Sequence, residues 1–413
     1  MEYNPASFVA PELPEMGPRY PDWVLLATRA YISDRQNATV AHGQTSDGAP
    51  IQVSLFAADP PAVSHLRVHC PGRENQFSYN PAVLFSRDDL ILFDVSFGDE
   101  GSEFFIYKAH SKNPSLHQIP EPEAHTSSFC NTGLVRCSAD HFAVAVLSPE
   151  LKTMYKLSVF SSRTGVWTTR LVPLQPSEST PKPEELRFTP TKVIPLKGSL
   201  LGWVDLGRCI LLCDVLSDDP KVRYIPLPEP MPGNVGCLHK GETSFFRDVC
   251  GCEDLIKCIE MDYRDDGAAP TNADGYTPDE WTAVIRIRML DWSDWERAHV
   301  VDIADITVAE PFHGCSDLLP ELCENGKPSL KKMPIGIPTL CEYNSVFYLM
   351  SKLRYEDSKG WVVAVDAESK RLEAVAKFSA ADSHAFVTSY YPSSFSKHLN
   401  DTTEIELNIQ TSL

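Results

Sequence analysis

One pattern occurs six times along the 413 residues: an apolar run, a polar turn, and a second apolar run. The copies begin at Ile51, Phe104, Lys156, Ile210, Ala283 and Trp361. Their turns carry Asp, Ser, Asn, Pro or Gly, the residues that tight reversals favour. Start to start, the spacings are 53, 52, 54, 73 and 78 residues. Three near-equal periods followed by two longer ones describe a repeat with insertions. Further apolar pairs precede most copies, at Val83–Val95, Leu134–Ser148, Val193–Leu206 and Leu340–Leu353, with Trp23–Ser33 and Ala38–Gly43 before the first. Each unit therefore amounts to about four short strands.

That unit is the blade of a β-propeller, in which radial repetition protects sheet edges. The expected fold is all-β and propeller-like, with six blades of about four antiparallel strands; a pair of β-sandwiches is the competing architecture. Inner strands should be the more apolar, as Phe142–Leu147 is. Proline, 33 residues spread along the chain, suits many turns and short strands. The expected organisation is a flexible Pro-rich segment over 1–22, one propeller-like domain over 23–399, and a tail over 400–413. In that tail Glu404–Gln410 alternates apolar and polar residues and is a possible closing strand.

The two longer spacings hold insertions, at Met261–Glu280 and Glu310–Met333. In the second, Cys315–Cys323 is expected to form a short helical turn capped by Ser316 and limited by Pro320. Insertions of this kind often carry contacts. From Glu242 to Glu280 there are 11 acidic and 3 basic residues, including Asp265 and Asp266. Such a run is a solvated face or an acidic ledge for a basic partner. Net charge over the chain is −19, which disfavours nucleic acid and anionic membranes as partners.

The 12 cysteines follow no apolar leader within the first 22 residues, and the longest apolar runs are too short for a membrane helix. A reducing compartment is expected, cytoplasmic or nuclear, with most cysteines serving as core thiols. The densest chemical cluster is Cys237, His239, Cys250, Cys252 and Cys258. Thiolate and imidazole are zinc ligands, but the spacing lacks a C-x2-C pair. Small core fillers are the plainer reading, and no metal or other cofactor is expected. Asp262–Gly267 begins like a calcium loop, but Arg264 and Ala273 occupy positions that need oxygen ligands. No nucleophile-elbow, zincin, phosphate-loop or dinucleotide motif is present. Asp140, His141 and Asp205 have turn or structural roles as their simplest reading. Trp292 and Trp295, three apart at a hairpin turn, cannot both enter one core; they join Asp265 and Asp266 as candidates for contact with a partner.

The segment Gly202–Pro228 resembles the hallmark of the plant domain of unknown function 1618 family, abundant in grasses. Val53–Gly72, Ile337–Leu353 and Ser389–Leu399 resemble other parts of the same proteins. The likeness runs from about Trp23 to Leu399, and the family's named domain would span roughly Leu200 to Leu353. The glycine usual after Gly207 and Arg208 is here Cys209. The resemblance implies a cereal source and no activity, so it supplies no catalytic residues. A weaker likeness is to propellers that follow an F-box, but the 22 residues before Trp23 are too few for one. The expected function is a non-enzymatic protein-interaction or scaffold module with a protein partner. The alternative is a hydrolase-like enzyme whose site gathers residues from several blades.

Overall fold

Strand formation follows the burial that each sequence can support. Phe142–Leu147 and Cys209–Cys213 are buried at every position, as strands sandwiched between two apolar layers must be. Val166–Gln175 and Glu296–Asp302 are largely exposed and lie on the outer side of their four-stranded groups. The computed structural model describes residues 10–14, 17–98, 101–121, 130–151, 153–237, 243–264, 280–313, 323–324, 327–332, 334–352, 359–379 and 390–400.

Among the described residues the strands form six main groups, one for each repeat: the second to fifth have four strands, and the first and sixth have more. The second sheet runs Ala82–Arg87, Leu90–Ser96, Ser102–Lys108, Ser115–Ile119. The third runs Thr132–Arg136, Phe142–Leu151, Met154–Ser161, Val166–Gln175. The fourth runs Lys192–Pro195, Leu200–Asp205, Cys209–Asp214, Val222–Pro226. The fifth is Arg247–Cys252, Leu255–Arg264, Glu280–Met289, Glu296–Asp302. The sixth is Ile335–Leu340, Val346–Lys352, Lys359–Asp366, Arg371–Ser379, extended by Thr307–His313 lying parallel to its last strand. The outer strands of the third and fourth sheets also meet in parallel, Leu174 opposite Val222 and Gln175 opposite Arg223. The chain is thus all-β and propeller-like.

The first sheet departs from a simple meander. Its order is Tyr390–Ser393, Val24–Ala27, Val63–His69, Pro50–Phe56, Ala41–Gln44. Val24–Ala27 is antiparallel to Tyr390–Ser393 but parallel to Val63–His69, and Tyr31–Ile32 adds a second parallel contact with Val63–His69. Tyr390–Ser393 thus pairs with the first sheet from near the C-terminus; the expected closing strand Glu404–Gln410 lies outside the described residues, as do Cys315–Leu322 of the expected helical turn Cys315–Cys323.

Two compact units emerge, Met1–Val144 with Phe160–Thr168 and Ser389–Leu413, and Ala145–Val159 with Thr169–Thr388. In the first unit, Val53, Leu55, Leu66 and Val68 of the first sheet share a core with Ile91, Phe93, Phe105 and Tyr107 of the second. The distant end of the chain joins it through Phe395 and Leu399. Asn400 pins this end by accepting from Tyr20 N at 2.9 Å and donating to Tyr20 O at 3.0 Å. Ser396 Oγ donates to Pro21 O at 2.8 Å.

In the second unit the fifth sheet is buried on both faces. Val249, Ile256 and Cys258 pack on Ile194, Ile210 and Leu212 of the fourth sheet. Cys250, Ile259 and Met261 pack on Phe347, Leu349 and Val363 of the sixth. Close approach selects glycine here. A Cβ on Gly202 would stand 2.9 Å from Ile194 Cγ1, and one on Gly251 would stand 2.5 Å from Pro195 O.

The docked C-terminal end makes a direct prediction. Phe395 is fully buried, so Phe395→Ala should cost about 3–5 kcal/mol through lost transfer energy and the cavity left behind. Denaturant unfolding measures it; a loss under about 1 kcal/mol would mean that Phe395 is not part of the first unit's core.

Candidate functional site

The cysteines singled out from sequence occupy the fifth sheet and its approach. Cys250 and Cys252 lie on Arg247–Cys252, two apart, so strand alternation turns both to one side. Cys250 enters the core shared with the sixth sheet, and Cys237 packs against that same core. Cys258 is opposite Val249 in register and faces the fourth sheet instead. The thickness of the sheet therefore separates Cys258 from Cys250. Burial holds the Cys250 thiol well above its ordinary pKa, raises that of Cys252, and pushes Cys258 up to about 12. Protonated thiols are poor metal ligands and poor nucleophiles. His239 lies outside the described residues, among which no three His, Cys, Asp or Glu side chains are placed to hold a metal ion.

Charge is concentrated in the same sheet. Arg247 and Glu260 are cross-strand partners, about 1% and 0% exposed, with Nη2 and Oε2 2.5 Å apart. Arg247 also donates to Leu206 O and Pro228 O, both at 3.2 Å. Glu260 Oε1 accepts from Met231 N at 2.7 Å and from Asn234 Nδ2 at 2.9 Å. Arg286 Nη1 stands 3.9 Å from Glu260 Oε2. This pair thus ties the end of the fourth sheet, the crossover after it and the fifth sheet into one network. Asp248 makes a second tie, to Lys192 Nζ of the fourth sheet at 2.8 Å and Leu340 N of the sixth at 2.9 Å. Asp205 is also structural: Thr189 N donates to its Oδ2 at 2.9 Å and Gly207 N to its Oδ1 at 3.0 Å. These carboxylates were not singled out as a group by sequence, because Glu260 and Asp248 find their partners on other strands and loops, up to 92 residues away.

The turn after Glu280–Met289 carries both tryptophans. Trp295 lies against the core of the fourth and fifth sheets, and its Nε1 donates to Pro226 O at 2.9 Å. Trp292 is half-buried; Asp291, Ser293 and Asp294 around it are exposed. Main-chain ties fix the loop: Leu290 N to Asp254 O at 2.9 Å, Trp292 N to Met289 O at 3.1 Å, and Arg223 Nη1 to Leu290 O at 3.2 Å. Arg288 Nη1 donates to Ser293 O at 2.5 Å. One tryptophan is therefore an internal anchor, while the other is presented on a held turn. Asp265 and Asp266, the other contact candidates, fall outside the described residues.

The buried pair sets a testable cost. Glu260→Ala strands the Arg247 guanidinium and should destabilise by about 3–5 kcal/mol, whereas the double replacement Arg247→Met with Glu260→Leu should lose distinctly less. Chemical denaturation of the two variants compares them; equal losses would refute a desolvation-dominated network.

Residues 203–348 match the family described as "Protein of unknown function (DUF1618)". No curated protein matches the chain. Among solved structures, the WD40 domain of SCAP from fission yeast aligns at 9% identity over 84% of this chain and 74% of that one, with a TM-score of 0.32. The β-propeller domain of the Trilobed protease from Pyrococcus furiosus aligns at 11% identity over 71% and 93%, TM-score 0.28. A putative 6-phosphogluconolactonase from Bacteroides fragilis aligns at 8% identity over 71% and 82%, TM-score 0.28. At these scores the alignments carry no argument about function.

Proposed function

We propose that this chain, whose residues 203–348 match the DUF1618 family, acts as a non-enzymatic protein-interaction or scaffold module. The observation that carries this reading is the turn Leu290–Trp295. It offers a half-buried indole, flanked by exposed Asp291 and Asp294, on a backbone fixed by hydrogen bonds within its hairpin and to two other segments. A loop already held in place loses little entropy when a partner binds. Tryptophan is enriched among the residues that dominate interface energies. The flanking carboxylates, in a chain of net charge −19, favour a partner with a basic surface.

The buried carboxylates fit the same reading. Glu260 and Asp248 spend both oxygens on fixed cations and amides, so neither is free to carry a proton to or from a substrate. Their work is to hold the second unit together.

Trp292→Ala tests the proposal, because it removes the presented ring while Trp295 keeps the turn anchored. Quantitative capture from tissue of the source organism, followed by titration of the recovered partner, should show about a tenfold or greater loss of affinity. The wild-type interaction should also weaken as salt rises. Identical capture and affinity for wild type and W292A would sink the assignment to this turn.

A further inference from the structure

One face of the first sheet holds a different kind of chemistry. Val63–His69 turns Leu66 and Val68 into the core and His65, Arg67 and His69 to the opposite side. In register with these are Phe56 opposite His65, Ser54 opposite Arg67, and Tyr31 beside Arg67 across the parallel strand. Such an alternating polar set is ordinarily a solvated face, yet His65 is 1% exposed and Arg67 only 7%.

Arg67 is held from two sides. Its guanidinium carbon lies 4.0 Å from the centroid of the Phe56 ring, and its Nε donates to His65 Nε2 at 3.3 Å. Arg35, exposed, places its own guanidinium carbon 5.7 Å from the same ring. The His65 ring is parallel to Phe56 at 5.7 Å and meets Tyr31 edge-on at 4.7 Å. Desolvation, and then the charge of Arg67, pull the pKa of His65 down to about 3. The imidazole is therefore neutral, with Nε2 accepting and its proton on Nδ1.

What this arrangement lacks is a counter-charge. The buried Arg247 has Glu260, and the buried Arg288, beside the like charge of Arg223, also feels that of Asp294. For Arg67 the charged and titratable neighbours are Arg35, which disfavours its charge, and Tyr31. Among the described residues no carboxylate lies within ion-pair distance of Arg67, and Nη1 and Nη2 donate no hydrogen bond. A desolvated guanidinium normally gains a hydrogen-bonded anion, and its fork matches two oxygens of one. Two arginines sharing one aromatic ring, in a chain of net charge −19, are most simply matched by a dianion brought from outside.

We propose that this face of the first sheet is a binding site for the phosphoryl group of a small phosphomonoester, with the Arg67 fork as primary donor and Arg35 as the outer charge. Phe56 and the neutral His65 position Arg67, one beneath its plane and the other at Nε. The near-complete burial of Arg67 favours a small ligand over a polymer. A phosphomonoester carries close to two negative charges at neutral pH, where a carboxylate carries one.

Inorganic phosphate is the probe, titrated calorimetrically into the full chain at constant ionic strength, with acetate as the monoanionic control. Saturable phosphate binding is expected for the wild type, with acetate much weaker. Arg67→Met should weaken phosphate binding by about tenfold or more, and Arg35→Met by a smaller factor. Arg35 is exposed, so R35M retains the fold and carries the test should R67M fail to fold. Phosphate should also raise the melting temperature of the wild type more than that of R35M. The proposal is overturned if the wild type shows no saturable phosphate binding, if acetate binds equally well, or if R35M and folded R67M bind as the wild type does. Because Trp292 takes no part in this site, W292A should bind phosphate normally whatever becomes of the interaction reading.

Discussion

Burial of both faces of the fifth sheet is the constraint from which most of the second unit follows. A sheet with Val249, Ile256 and Cys258 on one side and Cys250, Ile259 and Met261 on the other cannot leave either side in water. It requires an apolar sheet above and another below, which the fourth and sixth sheets supply. Such stacking brings backbones close, and Gly251, whose Cβ would meet Pro195 O at 2.5 Å, marks where. It also explains why the central strands read as unbroken apolar runs while Glu296–Asp302, at the outer edge, is polar.

Polar groups trapped in such a stack must find partners there. Arg247 and Glu260 find each other, and each is also bonded to main-chain groups of neighbouring segments, with Arg247 Nε left without a partner. The arrangement need not add net stability over an apolar core; its effect is to penalise any register that separates the partners. Asp248 acts likewise, since one carboxylate reaches Lys192 on one side and Leu340 on the other. Arg67 obeys no such rule. Among the described residues no carboxylate stands within ion-pair reach of it, and its nearest charged neighbour is a second arginine, Arg35.

The repeat was legible because it is local. Each hairpin pairs residues a few positions apart, and its turn chemistry and two-residue alternation are visible in a short window. The elements that escaped are those whose partners are remote. Tyr390–Ser393 is four residues with a proline among them, and it pairs only because Val24–Ala27 lies there to receive it. Thr307–His313 begins ahead of a stretch read as an insertion, and it pairs in parallel with Arg371–Ser379. For the cysteines, alternation showed that Cys250 and Cys252 share a side. Only the register with Leu255–Arg264 shows that Cys258 faces the opposite core. The alternation of His65, Arg67 and His69 was equally visible, but it signals a solvent face; its burial depends on Tyr31 and Phe56, from two other strands.

The segment that matches the DUF1618 family is not self-sufficient in these terms. Residues 203–348 begin inside the fourth sheet and end inside the sixth. They contain Arg247, Glu260 and Asp248 but not Lys192, Ile194 or Val363, against which the fifth sheet is closed. What this stretch holds, Gly251 at its close approach included, is therefore what one doubly buried sheet requires of its neighbours. Such requirements constrain packing and leave the chemistry free. Both proposed contacts accordingly draw on positions that packing does not dictate, the held turn around Trp292 and the guanidinium of Arg67.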